Sequence, residues 1–309
     1  MNTTIAIITR TKDRPLLLRR AIESVLNQSE PNWHHVIVND AGRKADVDST
    51  LLPFLERYNG RLTIIHHPEP IGMEAASNAG ISAKQSKYIL IHDDDDSLHP
   101  VFLSRTKSYL EKSSHNVGGV VTLTTKVDEV IVNNRIKTLK TALYKELAPK
   151  IGIGDMARVN QFPPISFLFR RSVIDCIGMY NESLPVLGDW DFNLRLMAQF
   201  DVDVIHEPLS NYHHRTSQGD NQMSNSVHEK PNIHIYYDTQ IRNQYLRNPE
   251  TVHLGNLLLL QKDLVTIENL QREYYGNAEK LHRLYKHPVI GRFIKLWSRF
   301  INSSIPHEP

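Results

Sequence analysis

The chain has one cysteine, Cys176, among 309 residues. That scarcity excludes an internal disulfide and any zinc or iron–sulfur site built on several thiolates, and it fits a reducing compartment. Long apolar runs are also missing. The longest are short pieces such as residues 88–91 and 257–260, far below the roughly 18 residues of a membrane span. No sign of charge dominates: 36 basic and 34 acidic side chains leave a net +2, which argues against a dedicated nucleic-acid binder. The apolar residues 5–8 precede Arg10, Lys12 and Arg14 with no basic stretch before them and no small-residue cleavage site, so no signal peptide is expected. What is present is a globular composition, 40% hydrophobic and 23% charged, which excludes wholesale disorder. The length suits one large domain or two small ones.

Residues 4–9 read as a buried strand, and residues 15–28 as a helix with Leu17, Leu18, Ala21, Ile22, Val25 and Leu26 on one face. Strand and helix then alternate: strands at 34–39, 62–66, 88–92 and 117–125, helices at 47–58, 74–83 and 101–112. This order predicts an α/β fold with right-handed crossovers and a mainly parallel sheet covered by helices on both faces. Ligands of such sheets sit beyond the carboxyl ends of the strands. Three of those ends carry polar groups here: Thr9-Arg10-Thr11, Asn39-Asp40, and His92 followed by Asp93-Asp94-Asp95-Asp96. Residues 126–161 have a looser pattern and read as an insertion or mobile segment. Pattern returns with a strand at 165–169, a short helix at 172–177, an amphipathic helix at 189–199 and a late strand at 202–205. Beyond residue 225 only helical pattern remains, at 234–246, 251–275, 278–285 and 288–302.

The four consecutive aspartates carry the strongest chemical signal. Adjacent carboxylates repel unless they are solvated or share a cation. Asp93 and Asp95, two residues apart, can point the same way and offer hard oxygen ligands to Mg²⁺ or Mn²⁺ together with a substrate diphosphate; a solvated acidic turn is the plain alternative. A calcium loop is a poorer reading, because Leu98 stands where glycine is needed and Ser104 where a bidentate glutamate is needed. The sixteen histidines include no HExxH spacing, and His34, His35, His66 and His67 flank strands as structural or solvated groups. Gly152-Ile153-Gly154 follows no strand and makes no dinucleotide fingerprint.

Five blocks, in order, resemble family 2 inverting glycosyltransferases of the GT-A fold: TIAIITRTKDRPLLLRRAIESVLN (4–27), VIVNDAG (36–42), IGMEAASNAG (71–80), YILIHDDDDSLHP (88–100) and VLGDWDFNLRL (186–196). The likeness spans roughly residues 3–215. It divides the chain into a catalytic domain, 1–225, and a helical C-terminal extension, 226–309. It implies that Thr9, Arg10 and Thr11 line the nucleotide pocket, that Asp40 accepts from the base ring, that Asn78 lies in the diphosphate block, and that Asp93 and Asp94 sit near ribose and diphosphate. Asp95 would be the main metal ligand, with Asp93 beside it and with His213 or His214 reaching the metal or diphosphate. Asp189 would be the catalytic base and Asp191 its runner-up, although an N-cap role for Asp189 is the simpler reading of its place in a helix. Relatives commonly show arginine where Ser77 stands, so that positive contact to the diphosphate is either absent or supplied by Arg10, Lys12 or Arg14.

The implied reaction moves a sugar from a nucleotide sugar, uridine being the commonest base in the family, to a hydroxyl of a glycan or lipid-linked glycan in bacterial surface polysaccharide synthesis. Residues 126–161 and 217–227 are expected as lids. Residues 280–309 hold six basic and one acidic side chain, so the near-neutral sum hides a mildly acidic body and a basic tail. Within that tail the apolar face of residues 288–302, with Arg292, Lys295 and Arg299 off it, suits either docking on its own domain or another subunit, or a peripheral contact at the inner face of the cytoplasmic membrane. A short heptad seam, Leu257, Leu260, Leu264 and Ile267, makes residues 254–285 a candidate homo-oligomer contact. Two other classes remain open: a catalytically weak GT-A subunit or scaffold, and a nucleotidyltransferase of similar sheet, whose glycine-rich phosphate loop Thr9–Arg14 does not supply.

Overall fold

The computed structural model describes residues 4–215 and 231–286. Among the described residues nine strands form one mixed sheet. β1 (Ile5–Thr11), β2 (Trp33–Asp40), β3 (Leu62–His67) and β4 (Tyr88–Asp93) are parallel neighbours in the order β3-β2-β1-β4. Their β-branched residues need cover on both faces, and helices α1 (Pro15–Leu26), α4 (Met73–Ala83) and α5 (Phe102–Lys112) supply it. Ile5, Ile7, Leu18, Ile22, Leu90 and Phe102 are buried completely in that core. The expected helix over 47–58 is broken in two, α2 (Lys44–Leu51) and α3 (Leu55–Tyr58), by a 3₁₀ turn holding Pro53, whose ring cannot continue an α-helix. Beyond β4 lies the short β5 (Ser97–Leu98).

The second half of the sheet differs from expectation. Residues 126–161 are not a loose insertion: β6 (Val117–Val132) and β7 (Arg135–Leu143) form an antiparallel hairpin, followed by α6 (Ile153–Arg158). The turn residues Asn133 and Asn134 have φ of 49° and 58°, the left-handed pair of a two-residue hairpin. An exposed outer strand needs few apolar residues, and β7 is exposed nearly throughout, so its pattern is weak. The late strand, β9 (Asp201–Arg215), is far longer than 202–205 and runs parallel to β6, with register shifts where Leu123 meets Pro208. β8 (Phe167–Arg170) pairs antiparallel with both β4 and β6, joining the two halves. Helices α7 (Ser172–Ile177) and α8 (Gly188–Met197) separate β8 from β9.

The first compact unit extends to Gly255, past the division expected at 225. The reason is α9 (Pro231–Arg247), which buries Ile241, Arg242 and Tyr245. Arg242 donates to the Ala157 carbonyl at 3.2 Å and lies over the Trp190 ring, and the Tyr245 hydroxyl donates to Asp191. The second unit holds most of α10 (Val252–Lys286), where Leu260, Leu264 and Ile267 are exposed. Among the described residues no helix is long and apolar enough to cross a membrane. Residues 217–227 and 288–302 lie outside the described residues.

Candidate active site

The strand register brings the polar ends together: Arg10 pairs with Asp93 across β1 and β4, and Thr11 with Asn39 across β1 and β2. β4 ends at Asp93, and the four carboxylates then take different partners, three of them arginines and the fourth a backbone amide. Asp93 accepts from Arg10 Nε at 3.1 Å. Asp94 accepts from Thr11 Oγ1 at 2.6 Å and pairs with Arg14 at 2.5 Å; burial outweighs that arginine and pushes its carboxyl up to about 6. Asp95 is buried as well, but Arg14 at 3.4 Å and a close Arg215 outweigh desolvation and hold it below the usual carboxylate range. Asp96 accepts the His213 amide at 2.9 Å, and burial beside Asp95 and Asp93 raises it well above that range.

Behind this edge lies a buried ionic lattice. Glu129 on β6, 1% exposed, accepts from Arg20 at 2.8 Å, Arg215 at 2.6 Å and His213 Nδ1 at 2.8 Å. Burial alone would raise its carboxyl; the hydrogen bonds from His213 and Arg20 win and hold it at about 2. Arg20 also donates to the Asp95 carbonyl, and Arg215 bridges Glu129 to the Asp95 carboxylate. Arg14, Arg20, Glu129 and Arg215 thus fix the turn that presents the aspartates.

Asp189, in the first turn of α8, faces this edge, within electrostatic reach of Arg10 and Asp93. Asn160 Nδ2 donates to its Oδ2 at 2.7 Å, and the Trp190 amide to its Oδ1 at 2.8 Å. Burial raises its carboxyl, opposed by that amide and by Arg10, which suits a proton acceptor better than an ordinary aspartate. The Trp190 indole donates to the Met156 carbonyl at 2.7 Å, so the turn is anchored from below. Asp191, its rival, accepts from Arg195 at 2.9 Å and from the Tyr245 hydroxyl at 3.1 Å and is committed to packing.

Several sequence expectations are corrected by side-chain direction. Thr9 does not line a pocket: it is fully buried, with its hydroxyl between His35 Nε2 at 2.7 Å and His92 Nδ1 at 3.1 Å. Successive residues of a strand alternate faces, so Thr9 and Thr11 share one and Arg10 takes the other. There Arg10 reaches Ser77 Oγ at 3.2 Å, placing a guanidinium beside the position where the resemblance lacks one. Asn78 is a structural clamp rather than a diphosphate contact, bonding Glu182 at 2.8 Å and both backbone groups of Tyr180. His213 is no free ligand: its ring nitrogens are engaged by Glu129 and by Ser97 Oγ at 3.0 Å. His214 packs edge-on against Tyr212, with ring centroids 4.3 Å apart. Asp40 accepts the amides of Ile71 and Gly72 at 2.7 and 3.1 Å, shaping the loop into α4.

Among the described residues no group of three or more histidine, cysteine or carboxylate side chains converges as a metal cage. The chemistry of the donor set nevertheless fits a divalent ion bound with a nucleotide. Such ions take one or two carboxylates and complete their shell with substrate phosphates and water, and Asp93 and Asp95 are hard oxygen donors at a strand end.

The model of Glycosyl transferase family 2 matches residues 5–178, more than half of the chain. The glycosyltransferase YwdF of Bacillus subtilis (strain 168), itself uncharacterized, is 27% identical over 221 residues, 71% of this chain and 76% of YwdF. Shorter stretches, about a third of the chain, match proteins named for colanic acid and teichuronic acid biosynthesis. Among solved structures, Staphylococcus aureus TarS 1-349 in complex with UDP-GlcNAc superposes with a TM-score of 0.58 at 17% identity over 82% of this chain and 70% of that one. The mannosyltransferase PcManGT of Pyrobaculum calidifontis, in complex with GDP-Man and Mn²⁺, gives 0.56 at 12% identity over 97% and 86%. Sheet order, the acidic end of β4 and the family match agree: the chain is a GT-A-fold glycosyltransferase and belongs to glycosyl transferase family 2.

Proposed function

We propose that the chain is an inverting glycosyltransferase, moving a sugar from a nucleotide sugar, a UDP-sugar first, to a hydroxyl of a glycan or lipid-linked glycan in bacterial surface polysaccharide assembly. The observation that carries this reading is the placement of Asp189. It stands within electrostatic reach of the Arg10–Asp93 edge, while Asp191 is tied to Arg195 and Tyr245. The nucleotide is read as lying beyond the ends of β1, β2 and β4, near Asp40 and Asp93, with Arg10 and Arg14 as the cations beside the diphosphate. Asp95, with Asp93, would hold Mg²⁺ or Mn²⁺, which would supply charge neutralisation for the leaving diphosphate.

Asp189 takes the proton of the acceptor hydroxyl as it attacks the anomeric carbon, and the diphosphate leaves from the opposite face. One displacement inverts that carbon, so no covalent sugar–enzyme adduct forms. General-base help of this kind is worth about 10²–10⁴-fold. The relatives named for colanic and teichuronic acid biosynthesis support a polysaccharide acceptor, and TarS with UDP-GlcNAc supports the uridine donor. A cytoplasmic enzyme, peripheral at the inner membrane face, fits a lipid-linked acceptor. The test is turnover against a panel of UDP- and GDP-sugars with Mn²⁺ or with EDTA, the product's anomeric configuration being read by NMR. Inversion with metal dependence is expected; retention, or full rate in EDTA, overturns the reading.

A further inference from the structure

Glu74, the second residue of α4, has no role in the mechanism above, yet it lies inside the site. It is 3% exposed, and its Oε2 is buried without a hydrogen-bond partner. The nearest cation, Arg10 Nη1, stands 4.0 Å away, beyond hydrogen-bond distance, and Arg10 is committed to Asp93 and Ser77. On the other side the carboxyl presses on the first turn of α8. A Cβ built on Gly188 would fall 2.3 Å from Glu74 Cδ, so the glycine before Asp189 is what admits this carboxyl. Glu74 therefore stands between Arg10 and the turn that carries Asp189, the groups that the proposed function assigns to the diphosphate and to the acceptor. The transferred sugar must lie between the same two groups, because its anomeric carbon joins the leaving oxygen to the attacking one.

We infer that Glu74 is a specificity-determining residue whose carboxyl hydrogen-bonds a hydroxyl of the donor sugar. The inference rests on the glycosyl-transfer reading of the site. Buried polar atoms in folded proteins are nearly always satisfied, and an orphaned one beside a reaction centre points to a partner that arrives with the substrate. A sugar hydroxyl both donates and accepts, which suits a carboxyl in either protonation state. When a diphosphate draws Arg10 toward itself, the carboxyl is uncovered on the sugar side. Desolvation, reinforced by Asp189, Asp93 and Asp191 and opposed by Arg10, lifts Glu74 to about 8, so at neutral pH it enters the site largely as the acid and adds little negative charge next to the base.

The test compares affinities for the intact donor and the bare nucleotide. Binding of UDP, UDP-glucose, UDP-GlcNAc and GDP-mannose to the full chain is measured by calorimetry with Mn²⁺, for the unmodified protein, Glu74→Ala and Glu74→Gln. Glu74→Ala is expected to weaken the preferred sugar nucleotide about tenfold or more while leaving UDP within about twofold, and Glu74→Gln, which keeps a donor and an acceptor, recovers part of the loss. Should Glu74→Ala fail to fold, Glu74→Asp, which withdraws the carboxyl by one methylene, carries the same comparison. Equal weakening of UDP and UDP-sugar, or no change in their ratio, overturns the inference while leaving the transfer reading intact. Failure of the unmodified protein to bind any of the four probes overturns both.

Discussion

Replacing Glu129 by glutamine tests the claim that a buried ionic lattice holds the aspartate turn in place. The substitution keeps shape and removes one charge facing Arg20, Arg215 and His213. Two routes give its size. Removing one partner of a buried ion pair typically costs about 3–5 kcal/mol. Independently, the Glu129 carboxyl falls from an ordinary 4.5 to about 2 on folding, and at about 1.4 kcal/mol per pH unit that depression is worth about 3 kcal/mol. The sign follows from the direction: a carboxylate depressed by folding contributes its full stability above about 4.5, and loses it as pH falls toward about 2. Thermal unfolding of both proteins from pH 7 down to pH 3 checks this. At pH 7 the variant should melt lower by about 6–12 °C, taking the smaller cost of about 3 kcal/mol and about 2–4 °C per kcal/mol for a domain of this size. The gap should narrow steadily below about pH 4.5. A gap that does not change with pH, or a variant as stable as the parent, refutes the lattice.

Two further predictions concern the opposite wall. Gly188→Ala drives a methyl into Glu74, so melting should show a loss of about 1–3 kcal/mol together with reduced turnover. Asp191→Asn should loosen the contacts to Arg195 and Tyr245 but keep turnover within about tenfold of the parent, since the base is untouched; a loss as deep as that expected for Asp189 would transfer the role to Asp191.

The parallel half of the fold was legible because buried strands such as β1 and β4 begin with continuous apolar runs and are separated by helical faces of clear period. The candidate site drew on the same signal: Asp93 ends a buried strand, and Asp189 stands in the first turn of an amphipathic helix. What the sequence hides is direction and partnership. Thr9 and Arg10 are adjacent but face opposite ways, and only the packed sheet shows that Thr9 belongs to His35 and His92. The β6–β7 hairpin was missed because an exposed edge carries little hydrophobic pattern, although Asn133-Asn134 was a usable turn signal. Glu129 pairs with Arg20 across 109 positions and with Arg215 across 86, separations at which one sequence gives no hint of contact. Glu74 and Gly188 belong together for the same reason, since the glycine acquires meaning only beside the carboxyl that fills its space.

The most direct test of the account is single-turnover transfer by Asp189→Asn. Asparagine keeps the side chain's shape and one acceptor oxygen for the Trp190 amide, gives up the bond accepted from Asn160, and cannot take the acceptor proton. The rate should fall about 10²–10⁴-fold with the affinity for the nucleotide sugar unchanged. Transfer at the parental rate would show that another group is the base and contradict the account.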